Sequence, residues 1–156
     1  METKRYDETE LQEAAESLKA GELVAFPTET VYGLGANALL PNAVKKVFSV
    51  KGRPQDNPLI VHVASFEQVK EYVDNFHPAA EKIVKNFWPG PLTLIFKIKK
   101  DTLPSVVTGG LSTAAFRMPD NKKNARSNQT FGCSACRSKC KYVGKTKSND
   151  CRSCIS

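Results

Sequence analysis

The chain has 156 residues, 40% of them hydrophobic and 25% charged, and a formal net charge of +7. That length suits one domain with a real core, and no apolar run approaches the roughly twenty residues that a membrane helix needs. The charged opening METKRYDETE is not built as a signal peptide, so a cytoplasmic protein without structural disulfides is expected.

In chain order, ETELQEAAESLKAG places Leu11, Ala14, Ala15 and Leu18 on one helical face, and Gly21 stops the helix. ELVAF is a short apolar run that predicts a buried strand. PTETVYGLGANALL is expected to be a loop, punctuated by Gly33 and Gly35 and supplied with hydroxyls by Thr28 and Thr30. Pro41 opens a helix with Val44, Val47 and Phe48 inward. The basic turn KGRPQDNP then leads into the strand LIVHV. Ser65 and Gln68 have the spacing of a capping box for FEQVKEYVDNF. PAAEKIVKNFW predicts another helix, ending at Pro89-Gly90-Pro91. LTLIFKIKK and STAAFRM complete the strands, and the mixed order of elements predicts an α/β domain with a twisted mixed sheet.

Three polar stretches beside strand ends could carry chemistry, because open sheets hold ligands there. Thr28, Glu29, Thr30 and Tyr32 form the first, with turn formation and capping as the plainer reading. Lys51, Arg53 and Asn57 form the second: a solvated charged turn, or an anion clamp in which Arg offers a planar fork and Lys a point charge. Arg117 is the third; after the apolar TAAF it would be partly buried and would need an anionic partner. His62, between two valines in a strand, reads as a structural histidine, and His77 as a surface residue at a helix start. There is no Walker-type loop, no G-x-G-x-x-G and no H-E-x-x-H.

FPTETVYGLGANA, KGRPQDNPLIVHV, FWPGPLTLIF and AAFRMPDN, in this order and spacing, resemble the YrdC/TsaC family of L-threonylcarbamoyladenylate synthases. The resemblance implies a YrdC-like twisted mixed sheet with flanking helices around a positively charged cavity. It implies a nucleotidyltransferase that makes threonylcarbamoyl-AMP and diphosphate from L-threonine, bicarbonate and ATP, for threonylcarbamoylation of tRNA adenosine 37. By the same resemblance Thr30, His62 and Arg117 match L-threonine contacts. Lys51, Arg53, Asn57 and Thr113 match ATP contacts, with Lys51 and Arg53 acting on the phosphates. Mg2+ is expected on those phosphates. The alternative is a non-catalytic YrdC-like domain that binds nucleotide or double-stranded RNA.

The tail differs from the body. Residues 1–121 hold 14 Lys plus Arg against 15 Asp plus Glu, and residues 122–156 hold nine against one, with no Leu, Met or Trp. The basic mean is therefore no sign that the body binds nucleic acid. The body, 1–121, reads as the amino-terminal portion of the YrdC-like domain, and 122–156 as a basic, Cys-rich, poorly ordered tail. Cys133-x-x-Cys136 and Cys151-x-x-Cys154 have the ligand spacing of a zinc ribbon. A frameshift explains more. Read one base later, the codons from Gly132 permit G-V-P-L-V-G-P-S-A-N-T-S-G-K-P-S-P-T-T. The family carries a P-S-A-N-x-S-G loop in this place, where it completes the site. A shift between about Asp120 and Thr130 is thus expected, zinc is not, and the chain as written lacks the loop and the strands that would complete it.

Overall fold

The computed structural model describes residues 11–26, 32–120 and 135–139. Helix α1 (Leu11–Lys19) buries Ala14, Ala15 and Leu18, as the three-and-four spacing requires. Strand β1 (Val24–Phe26) follows, and then strand β2 (Gly33–Asn37), which is buried along its whole length. GLGAN was expected to be loop; its glycines and alanine carry little strand preference, and pairing on both sides decides its state.

Helix α2 (Pro41–Lys51) starts on its proline, buries Ala43, Val44, Val47 and Phe48, and ends at Gly52. Strand β3 (Ile60–His62) and helix α3 (Phe66–Tyr72) come next. The Ser65 hydroxyl accepts from the Gln68 amide at 3.4 Å, while the Gln68 side chain accepts from the amide of Ala64 at 2.8 Å, one residue earlier than a standard box. Helix α4 (Pro78–Phe87) is capped by His77, whose Nδ1 accepts from the Ala79 amide at 3.2 Å. Strand β4 (Thr93–Lys97), the short helix α5 (Ser105–Thr108) and strand β5 (Thr113–Arg117) complete the body.

The tail supplies strand β6 (Ala135–Lys139), which the sequence reading did not anticipate. It lies inside the sheet: the order is β1-β2-β6-β3-β5-β4. Strands β3 and β5 are parallel and every other pair is antiparallel, so the sheet is mixed. Among the described residues, no helix is long and apolar enough to cross a membrane.

Side chains alternate across a pleated strand, and directly paired residues share a face. One face carries Val61, Ala114 and Phe116, packed with α2, α3, α4 and α5 in the main core. Its aromatic cluster sets Phe66 against Phe76 at 4.9 Å and Phe76 against Phe96 at 5.2 Å, both edge to face. Such pairs add about 1 kcal/mol each beyond burial. Helix α1 lies on the opposite face, where Ala15 and Leu18 pack on Val24. That face carries the polar residues considered below.

Candidate functional site

His62 and Arg117 are the last residues of β3 and β5, and the register pairs them directly. They therefore share the face turned away from the main core, at the carboxyl ends of two parallel strands, where open sheets present ligand-binding groups. Both are nearly buried, at 4% and 6% exposure. A buried Arg needs partners for its donors. Arg117 Nε donates to the Gly90 carbonyl at 3.3 Å, and its backbone carbonyl accepts from the Val63 amide at 3.0 Å.

Thr113 opens β5 and lies on the same face, four residues before Arg117. At about 3.3 Å per residue, the two are about 13 Å apart along the strand. Between them, Ile60, Ala115 and Ile95 form an apolar row, and Ile95 is 70% exposed at the sheet edge. A hydroxyl thus marks one end of the face and a His–Arg pair the other.

The segment 51–58 approaches the Thr113 end. Lys51 closes α2, and the Arg53 amide donates to the Phe48 carbonyl at 3.0 Å. The Arg53 guanidinium folds back over the segment, with Nη2 donating to the Pro58 carbonyl at 3.4 Å. The Leu59 amide then donates to the Val107 carbonyl at 2.9 Å. Gly109, with φ of 62°, lets the chain after α5 pass so close that a Cβ there would stand 2.6 Å from the Asp56 carbonyl oxygen. Both the dihedral and the contact require glycine. Lys51 and Arg53 are half-buried and Asn57 is exposed.

Of the residues singled out in the sequence, His62, Arg117 and Thr113 share one face, and Arg53 and Asn57 lie on the segment at its Thr113 end. Thr28, Glu29 and Thr30 lie outside the described residues, as do Cys133, Cys151 and Cys154 of the two cysteine pairs. Tyr32 is half-buried just before β2. Sequence reasoning missed Gly90, which it read only as the stop of α4. It also missed Thr93 and Lys97, which the register places on the same face opposite Arg117 and Thr113. The alternation in LTLIFK could have indicated these two. A separate hollow of about 610 Å³, bordered by Leu39, Ile98, Leu103, Thr108 and Leu111, shares no residue with the His62–Arg117 pair.

A mixed sheet with flanking helices, and with a polar, cationic end on the face opposite its main core, defines an α/β domain. The Sua5/YciO/YrdC family model, described as telomere recombination, matches residues 16–136, and the chain belongs to that family. It is 56% identical over 115 residues to the threonylcarbamoyl-AMP synthase of Pyrococcus abyssi, covering 74% of this chain and 34% of that protein. It is 51% identical to the threonylcarbamoyl-AMP synthase of Bacillus subtilis, again over 115 residues, covering 74% of this chain and 33% of that one. The crystal structure of P. abyssi Sua5 complexed with L-threonine superposes with a TM-score of 0.81 at 47% identity, over 86% of this chain and 39% of that one. The chain thus spans about a third of the length of these two curated relatives.

Proposed function

We propose that the chain carries the YrdC-like domain of an L-threonylcarbamoyladenylate synthase, which converts L-threonine, bicarbonate and ATP into threonylcarbamoyl-AMP, diphosphate and water. The observation that carries this reading is the two-ended face. The His62–Arg117 pair stands at the strand carboxyl ends, and Thr113 with the Lys51–Pro58 segment stands about 13 Å away. That span suits an amino acid at one end and nucleotide phosphates at the other. The names of the relatives and the L-threonine complex of P. abyssi Sua5 support it.

The chemistry asks for positioning and charge more than for a protein nucleophile. The threonine amine attacks the bicarbonate carbon and water leaves, giving a carbamate. A carbamate oxygen then attacks the α-phosphorus, the bond to the bridging oxygen breaks, and diphosphate departs. Arg117 would pair with the threonine carboxylate, with His62 beside it, and Thr30 would hold the amino acid from the preceding loop. Lys51 and Arg53 would neutralise the phosphates, and Asn57 and Thr113 would hold the nucleotide. Mg2+ would ride on the phosphates of ATP, where it offsets charge; among the described residues no group of three or more His, Cys, Asp or Glu forms a dedicated cage.

The product would serve a cytoplasmic tRNA-modifying step that transfers the threonylcarbamoyl group to adenosine 37. The tail is part of the proposal: residues 122–156 are read one base out of frame. Strands are enriched in β-branched and aromatic residues, whereas Ala135–Lys139 reads Ala-Cys-Arg-Ser-Lys and holds none. The shifted frame permits Leu-Val-Gly-Pro-Ser at the same positions. Resequencing across Asp120 that finds no one-base discrepancy ends that part.

Isothermal titration with L-threonine and with ATP, followed by a diphosphate-release assay in bicarbonate, tests the activity. Binding of both ligands and threonine-dependent release are expected, with faster release from the frame-restored product. RNA affinity without turnover in either form would replace the synthase by the binding reading.

A further inference from the structure

The turn Trp88–Leu92 is built around Gly90, and its contacts converge on β5. Trp88 is buried, meets Phe66 edge to face at 6.5 Å, and donates from its indole nitrogen to the Leu92 carbonyl at 2.8 Å. The turn is thereby anchored in the aromatic core and closed on itself. Gly90 then touches the last residue of β5 and the residue after it. Its amide donates to the Met118 carbonyl at 2.7 Å, and its carbonyl accepts from Arg117 Nε at 3.3 Å.

Both bonds need the peptide planes on either side of Gly90 where they are. A Cβ on this residue would stand 2.6 Å from the Phe87 carbonyl oxygen, a backbone atom that cannot swing aside. Any other residue must therefore push the turn off the end of α4 and carry the Gly90 carbonyl with it. An Arg side chain has several rotatable bonds, and a hydrogen bond at Nε fixes the plane of its guanidinium. That plane sets the direction in which the terminal nitrogens point.

We infer that Gly90 is a positioning residue: its carbonyl orients the Arg117 guanidinium for a substrate carboxylate, and only glycine at position 90 lets the turn come close enough to do so. The inference rests on the proposed role of Arg117 for its effect on threonine, but the orientation itself is testable without substrate. It extends the site to the P-G-P turn, whose sequence shows no functional group.

The first test is a double-mutant cycle read by titration with L-threonine. Gly90→Ala should weaken threonine about tenfold, the scale of one hydrogen bond to a charged group, with the ATP dissociation constant unchanged. In an Arg117→Lys background, which keeps the charge and removes Nε, the same Gly90→Ala step should change threonine binding less than about twofold. Equal losses in both backgrounds would mean that Gly90 acts on the fold and not through Arg117, and would overturn the inference. The second test needs no variant to fold and no ligand to bind: the hydrogen-exchange rate of Arg117 Nε–H in the unsubstituted chain, assigned through its scalar couplings to the Arg117 side-chain carbons. A protected Nε–H is expected; exchange at the rate of an exposed arginine would overturn the inference. Protection together with no threonine binding would keep the orienting contact and contradict the proposed function instead.

Discussion

The His62–Arg117 pair and the Lys51–Pro58 segment are fixed by different means. The pair sits on paired strands, so its spacing follows from the ladder, with Val63 donating to the Arg117 carbonyl at 3.0 Å. The segment has no ladder. A helix end, the Arg53–Pro58 bond at 3.4 Å, the Asn57 amide on the Pro54 carbonyl at 3.4 Å and the close pass of Gly109 are among the contacts that hold it. The difference matches what each end would grip. A carboxylate is small and planar and rewards a rigid, directed fork, whereas a polyphosphate accepts charge from several directions.

The largest effect separating the two ends should come from Arg117→Ala. Losing a buried charge-assisted pair costs about 3 kcal/mol, so L-threonine should bind roughly 100-fold more weakly. Titration with ATP should show little change; a parallel loss of ATP would mean that the ends are not separate. Arg53→Ala should do the converse, weakening ATP by about tenfold while sparing threonine, since it removes a partly exposed cation.

Gly109→Ala probes the segment through its scaffold. A non-glycine residue at that dihedral, pressed on the Asp56 carbonyl, should cost about 2 kcal/mol and lower the melting temperature by about 5 °C. ATP binding should weaken with it, because the segment carrying Arg53 and Asn57 must shift. A melting point unchanged from the parent would contradict the close contact. Ser65→Ala should be the mildest, removing a helix cap worth about 1 kcal/mol and altering neither ligand's affinity.

Much of the scaffold was legible because local rules dictate it. Pro41 starting α2, the inward face Val44–Val47–Phe48 and the Ser65 cap all depend on residues within a turn or two. Two elements were not. GLGAN becomes β2 because partners on both sides pair with it, and no residue within it announces this. Strand β6 comes from a stretch whose composition resembles nothing in the body, and it lies between β2 and β3.

The site was legible in a similar, divided way. The apolar TAAF before it drew attention to Arg117 and motif resemblance to His62, but their adjacency depends on a parallel register spanning fifty-five residues, which no local pattern encodes. Gly90 was invisible for a different reason. It contributes only backbone atoms, and the need for glycine arises from the Phe87 carbonyl behind it. Thr30, which the resemblance places on L-threonine, falls outside the described residues.

The claim on which the rest depends is that one sheet face receives two ligands at opposite ends. A crystal structure with L-threonine and a non-hydrolysable ATP analogue measures it directly. The threonine carboxylate should lie on Arg117 beside His62, and the phosphates on Lys51 and Arg53 near Thr113. Finding either ligand instead in the hollow bordered by Leu39 and Leu111, with Arg117 untouched, would contradict the account.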